Sequence, residues 1–203
     1  MNKHTDIFTN IYENCIWGSN NNNNYKGTSG EGSSIEYNKE SYIPFLKSFI
    51  KDNQINTIVD LGCGDFRCGS EIYDDLNVTY YGYDAYQKVI EHNKINNKPI
   101  YNFIHLDFYN NIEKVNNADL CILKDILQHW SLIEIYKFLD YIGNNKKFKY
   151  VLICNCCGQT ENNTDIKTGD FRPLSCDFFP LKRYRPIKLL NYNGKEISLI
   201  KFF

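Results

Sequence analysis

Residues 58–65 read Ile58-Val59-Asp60-Leu61-Gly62-Cys63-Gly64-Asp65. A short apolar run of strand character, residues 57–61, enters Gly-X-Gly, and a helix is expected to follow near 68–74. Glycines let the backbone turn tightly and approach a ligand with no Cβ in the way. Gly-X-Gly alone is a weak signal, because tight strand-to-helix turns use it widely. Asp84 strengthens it: a second apolar run, 79–83, ends there, about twenty residues on. That is the spacing at which a carboxylate meets ribose hydroxyls in a nucleoside site.

The same rhythm extends outward. Helical spacing of Tyr42, Ile43, Phe45, Leu46, Phe49 and Ile50 predicts a helix over 38–51. A helical stretch is expected over 85–96 and another over 132–142. Further strands are expected at 102–106, ending at Asp107, at 118–123, ending at Lys124-Asp125, and at 150–154. Strands alternating with helices imply a mainly parallel sheet with helices on both faces. Ligands of such sheets sit at the carboxyl ends of the strands, where these polar residues fall. Residues 158–186 are irregular, with three prolines, and a loop of that length in a compact domain is usually functional. Two apolar runs, 187–192 and 197–202, flank Asn193-Gly194, a strong hairpin signal. The expectation is one domain, 1–203: a polar and aromatic segment (1–37) folding over the site, a core (38–156), an irregular substrate segment (157–186) and a terminal hairpin (187–203). The run Ser19–Asn24 and the glycine-rich stretch after it have linker composition, against which Trp17 and Tyr25 argue.

Composition narrows the classes. The 203 residues are 42% hydrophobic and 15% aromatic, too rich in core formers for a disordered or low-complexity chain. No apolar run approaches the roughly 18 residues of a membrane span. The opening MNKHTDIFTNIYEN lacks the apolar stretch of a secretory signal, so a cytoplasmic protein is expected. Lys+Arg 23 against Asp+Glu 24 leaves a net charge of −1, which gives no global grip on nucleic acid. The eight cysteines, several inside apolar runs (Cys63, Cys121, Cys154, Cys156), read as reduced thiols packing as small apolar groups. Cys154-Asn155-Cys156-Cys157 has no second Cys/His pair at zinc spacing, and no metal centre is expected.

Taken in order, these motifs resemble those of class I S-adenosylmethionine-dependent methyltransferases. Residues 58–64 resemble that family's first motif, hydrophobic-Asp-hydrophobic-Gly-Cys-Gly. Tyr83-Asp84 resembles its ribose-binding acid, and Leu106-Asp107-Phe108 the third-strand acid that meets the adenine amino group. Residues 122–130, Ile-Leu-Lys-Asp-Ile-Leu-Gln-His-Trp, resemble the segment that faces the reactive methyl. The resemblance implies a Rossmann-like fold and S-adenosylmethionine as cofactor, held by Asp60, Gly62, Cys63, Gly64, Asp84, Ala85, Asp107, Phe108 and Lys124. Phe66 stands where many members have a third glycine. Trp17-Gly18 with residues 29–33, and Asp165 with residues 168–174, resemble segments of a small subgroup whose members often accompany glycosyltransferases. That implies a sugar, glycan or nucleotide-sugar acceptor, met by Trp17, Ser33, Trp130, Asp165, Asp170 and Arg172, and association or fusion with a glycosyltransferase.

Each residue has a plainer alternative. Asp60 is equally suited to holding loop amides, and Asp84 and Asp107 to capping turns. Trp17 and Trp130 suit packing, and Asp170 and Arg172 suit bracing each other. The Lys182-Arg183-Tyr184-Arg185 run suits a solvated face or a phosphate. For transfer to a hydroxyl a base is useful, and His129 or Asp125 could serve, with His129 favoured because neutral imidazole suits proton abstraction near pH 7. Two other readings stand beside sugar O-methylation: a methyltransferase acting on RNA or protein, and a non-catalytic partner subunit that keeps the nucleoside pocket.

Overall fold

The computed structural model describes residues 4–20, 25–162 and 164–202. The asparagines of the 19–24 run at 21–24, and Asn163 at the head of the expected substrate segment, lie outside them. The chain divides into two compact units, Met1–Val115 and Asn116–Phe203.

The first unit opens with a helix that the sequence analysis did not anticipate, α1 (His4–Glu13), which buries His4, Ile11 and Tyr12. Their spacing, with Phe8 between, is helical. The helix expected over 38–51 is α3 (Tyr42–Asp52), which starts four residues later, after a one-turn α2 (Ile35–Asn38). The later start has a local cause. Asn38 is fully buried, and its amide donates to the carbonyls of Gly32 (2.9 Å) and Ser34 (2.7 Å), competing with helix continuation. Then come β1 (Thr57–Leu61), α4 (Gly69–Tyr73), β2 (Thr79–Asp84), α5 (Gln87–Asn96) and β3 (Tyr101–His105). These strands pair in parallel, β2 between β1 and β3, with Asp60 opposite Gly82 and Asp84 opposite His105. Ile58, Val59, Leu61, Tyr80 and Tyr83 fill the core against Val89 and Ile90 of α5 and Leu46 of α3. Phe66, the departure from the family pattern, keeps the left-handed backbone a glycine would adopt (φ 54°). Its ring is buried among Tyr73, Tyr80, Tyr101 and Phe103, at centroid distances of 4.9–6.1 Å. Gly69 makes room for it, since a Cβ there would lie 2.1 Å from the Phe66 ring.

The second unit contains β4 (Ala118–Lys124), α6 (Leu132–Asn144), β5 (Phe148–Cys156), β6 (Ile187–Tyr192) and β7 (Lys195–Lys201). β4 and β5 are parallel, β7 runs antiparallel to β5, and β6 closes the edge antiparallel to β7. The hairpin turns on Asn193 (φ 44°) and Gly194 (φ 74°), the paired left-handed conformation that Asn-Gly favours. α6 begins with a capping box, in which Ser131 and Glu134 satisfy each other's end of the helix. Ile135, Leu139 and Ile142 of α6 and Leu120 to Leu123 and Val151 to Cys154 of the strands are fully buried or nearly so. Among the described residues no α-helix lies between β5 and β6. No described helix is long and apolar enough to cross a membrane.

Candidate functional site

The first unit gathers its functional residues at the carboxyl ends of β1, β2 and β3. β1 ends at Leu61, and the chain turns through Gly62 (φ 77°) and Gly64 (φ 53°). The amides of Gly62 (2.7 Å) and Cys63 (3.0 Å) both donate to the Tyr83 carbonyl, fastening the turn to β2. Asp84, the last residue of β2, accepts the N–H of Gly64 on one oxygen (3.0 Å) and that of Tyr86 on the other (2.9 Å). The carboxylate thus sets the conformation of the turn and of the entry to α5, and each oxygen keeps a further lone pair. Burial pushes its pKa up to about 6 despite those two amides. Ala85 follows, buried.

Asp60 accepts from the Tyr80 hydroxyl (2.9 Å) on the neighbouring strand. Gly82, facing Asp60 across the ladder, has no room for a Cβ, which would lie 2.9 Å from the Tyr80 ring and 3.0 Å from Cys63 Sγ. The Cys63 thiol is pushed well up by burial, so it packs as a neutral group. Asp107 stands two residues beyond β3 and accepts the Asn110 amide (3.2 Å) and side chain (2.8 Å), closing the turn after the strand. Phe108 is buried beside it in sequence.

Three residues without a predicted role complete this turn. Asp65 accepts the Ser29 N–H (3.1 Å) and pairs with Arg67 (2.9 Å) through one oxygen, while its Oδ1 is buried with no hydrogen-bond partner. Asn93 of α5, fully buried, donates to the Gly64 carbonyl (2.7 Å), and its Oδ1 likewise has no partner. Ser29 reaches the turn from the N-terminal segment: its hydroxyl accepts the Asp65 N–H (2.9 Å) and bonds Tyr12 Oη (2.7 Å). A Cβ on Gly64 would lie 2.3 Å from Ser29 Oγ. The stretch of linker composition is in fact pinned down. Gly18, Ser19, Gly27 and Thr28 pair as a short antiparallel bridge, and Gly27 packs against the Tyr12 backbone. Tyr12 stacks on Tyr86 (4.5 Å). Trp17 is half-buried, edge-on to Tyr12 (5.9 Å), and Ser33 donates its hydroxyl to the Ser29 carbonyl (2.9 Å).

In the second unit the residues after β4 form a connected polar cluster. Asp125 adopts a left-handed backbone (φ 60°), with its N–H held by the Cys154 carbonyl (2.8 Å). Its carboxylate takes Lys124 on one oxygen (2.8 Å), and Lys195 and Gln128 (3.1 Å) on the other. Burial raises its pKa, but the two ammonium groups outweigh burial and hold it below the usual carboxylate value. His129 lies in the turn before α6, buried. Its Nδ1 is 2.9 Å from the Asp170 carbonyl, which can only accept, so Nδ1 carries the proton and Nε2 presents a lone pair. Nε2 accepts a long hydrogen bond from the Gln128 side-chain amide, at 3.4 Å. Burial lowers the His129 pKa, which keeps the ring neutral. Gln128 is fixed at its other end by the Cys156 N–H (2.8 Å).

The irregular segment wraps this cluster through backbone bonds. Gly169 N–H donates to the His129 carbonyl (2.8 Å) and Arg172 N–H to the Gln128 carbonyl (3.1 Å). Arg172 is 4% exposed, donates to the Trp130 carbonyl (2.7 Å), and lies 3.8 Å from Asp165. Asp165 caps the start of α6 by accepting Leu132 N–H (2.8 Å). So Arg172 braces this loop with Asp165 and Trp130, while Asp170 uses its carbonyl on His129 and leaves its side chain exposed. Trp130 is fully buried against Phe138 (5.1 Å). Arg183 of the basic run is spent on Asp140 (3.1 Å) and the Tyr136 ring (5.2 Å). Among the described residues no group of three or more His, Cys, Asp or Glu is placed to hold a metal ion.

Gln128, Asp65 and Ser29 are marked in the sequence only as members of longer motifs, and Lys195 and Asn93 not at all. Lys195 meets Asp125 across 70 positions of chain, and Ser29 meets Asp65 across 36, so no local pattern announces either.

No family model matches this chain, and no curated protein matches it. Solved structures do. A bacterial Hen1 methyltransferase domain superimposes with a TM-score of 0.61 at 10% identity, over 79% of this chain and 96% of that domain. A putative O-methyltransferase from Nostoc punctiforme gives 0.61 at 12% identity, over 82% of this chain and 56% of its own. Human N-acetylserotonin methyltransferase in complex with SAM gives 0.59 at 13%, over 77% and 50%. This chain thus spans nearly all of the first and about half of the other two. The fold is the Rossmann-like one of class I methyltransferases, mostly parallel with an antiparallel C-terminal hairpin.

Proposed function

We propose that this protein is an S-adenosylmethionine-dependent methyltransferase that acts on a hydroxyl oxygen, with His129 as general base. One observation carries the reading: Asp65 Oδ1 in the turn after β1 and Oδ1 of Asn93, which bonds that turn from α5 as Asp84 does from β2, are buried acceptors with no partner among the described residues. The cofactor's ribose hydroxyls and α-ammonium group are donors, so the residues present fit it. Gly62 turns the chain tightly at the strand end, and Gly64 makes room for Ser29 Oγ. When bound, the cofactor supplies an electrophilic methyl group on sulfonium.

The remaining chemistry belongs to this chain. Nε2 of His129, neutral and with a lone pair, takes the acceptor's proton. Hydrogen bonding of Nδ1–H to the Asp170 carbonyl fixes the tautomer and the plane of the ring. Asp125 is poorly suited to the same task, since its oxygens already accept from two lysines and Gln128. Its role in this reading is to hold Lys124 and Lys195, whose combined charge exceeds its own and favours an oxygen acquiring negative charge. For the acceptor we propose a sugar hydroxyl, supported by the exposed Asp170 carboxylate on the loop that holds His129. The basic run supports an RNA acceptor less, because Arg183 is already paired. Calorimetry with S-adenosylhomocysteine and transfer of labelled methyl from S-adenosylmethionine to glycosides, nucleotide sugars, RNA and peptides test the proposal. Absence of cofactor binding would refute it. Labelling of RNA or peptide alone would refute the sugar acceptor.

A further inference from the structure

The geometry points to Phe171 as a platform that selects acceptors whose hydroxyl is carried on a ring with an apolar face. The inference rests on the reading of His129 as base. Phe171 is 54% exposed, an uncommon state for a large aromatic side chain. Scattered exposed apolar residues need no explanation by themselves. Phe171 differs in two respects. It is held in place: Gly169 N–H on the His129 carbonyl, the Asp170 carbonyl on His129 Nδ1 and Arg172 N–H on the Gln128 carbonyl tie the backbone on both sides of it. Arg172 next to it is 4% exposed, so the loop turns that side chain inward and leaves Asp170 and this ring facing out. It is also beside the proposed base, with ring centroids of Phe171 and His129 5.9 Å apart and planes inclined by 52°.

A backbone-anchored, half-exposed ring next to a neutral imidazole suits a particular ligand. The C–H face of a pyranose, or the face of a phenol, would lie on Phe171 at the separation aromatic contacts favour, roughly 4.5–7 Å between centroids. A hydroxyl on that ring's edge would then fall beside the His129 imidazole. Acyclic hydroxyls such as serine or glycerol gain nothing from the platform. Pyranose and phenol share this chemistry, and the arms below separate them.

The test uses the full chain saturated with S-adenosylhomocysteine, so that binding is read without turnover. Saturation-transfer NMR is recorded with methyl pyranosides, with simple phenols and with glycerol, for wild type, Phe171→Ala and Phe171→Tyr. Melting temperature is followed in parallel. We expect transfer to ring C–H protons in one ring class and none to glycerol. Phe171→Ala should weaken that ligand's Kd at least fivefold with an unchanged melting temperature, and Phe171→Tyr should restore it. Signals confined to pyranosides name a sugar, and signals confined to phenols name an aromatic acceptor. No ring ligand binding to wild type, equal binding to Phe171→Ala, or glycerol binding as well as the rings would each overturn the platform. A ring that binds through Phe171 yet is not methylated with S-adenosylmethionine would instead overturn the proposed reaction and leave the platform standing.

Discussion

Asp84→Asn separates what this carboxylate costs the fold from what it does for a ligand. Asp84 is 7% exposed, and burial moves its pKa from an ordinary 3.8 to about 6. At roughly 1.4 kcal/mol per unit, that displacement is worth about 3 kcal/mol. The direction follows from proton counting. Between pH 4 and 6 the folded protein holds a proton that the unfolded chain has released, so stability falls as pH rises through that window and levels off above it. Asparagine does not titrate. It also accepts only one of the two amides, Gly64 or Tyr86, and sets its own N–H₂ against the other, a pH-independent loss of about 1–3 kcal/mol. Relative to wild type, Asp84→Asn should therefore gain about 3 kcal/mol between pH 4 and pH 7.5. It should be the less stable protein at the acid end and roughly equal at neutral pH. Urea unfolding of both proteins at pH 4 to 8, followed by circular dichroism, gives the difference directly. Calorimetry at pH 7.5 should show S-adenosylhomocysteine binding weakened by about 1.5–3 kcal/mol in the variant. Parallel stability profiles for the two proteins would refute the buried, displaced carboxylate, and an unchanged affinity would remove Asp84 from the cofactor site.

Three further outcomes are expected. His129→Ala should lower turnover by roughly 10²–10⁴ with S-adenosylhomocysteine affinity nearly intact, and because burial lowers its pKa the wild-type acid limb of kcat should fall below pH 6.5; a limb above pH 7 would assign the base elsewhere. Lys195→Met leaves the buried Asp125 short of a counter-charge and should cost about 3–5 kcal/mol in denaturant unfolding, with Lys195→Met/Asp125→Asn recovering part of it; a double variant no better than the single one would show that the pair is not coupled. Arg172→Ala should lower the melting temperature and activity together, because the guanidinium ties the Trp130 carbonyl to Asp165, while calorimetric cofactor affinity stays near wild type; a raised KM at unchanged melting temperature would return Arg172 to the acceptor.

The order of elements was legible in the chain because it rests on short-range physics. Short apolar runs at 57–61, 79–83 and 118–123, helical spacing at 132–142 and the Asn193-Gly194 turn each encode one element, and five strands with the hairpin emerged within a residue or two of their observed ends. The turn at Gly62–Gly64 was legible too, since only glycine enters those left-handed angles without strain. The helix expected over 38–51 starts at Tyr42, because the Asn38 amide bonds the Gly32 and Ser34 carbonyls, contacts the sequence does not mark. α1 was passed over although His4, Phe8, Ile11 and Tyr12 carry its period. The site is another matter. Sequence offered both His129 and Asp125 as the base, with His129 favoured only on its residue type. Only the folded chain brings Lys195 from the far end onto Asp125 and the Asp170 carbonyl onto His129 Nδ1, and those contacts leave one group charged between two ammonium groups and the other neutral. Arg172 and Phe171 are adjacent in sequence and lie on opposite sides of their loop, one buried and one open to solvent. Residue type sets what a side chain can do; its neighbours in space, drawn from distant positions, decide its charge state and whether a ligand can reach it.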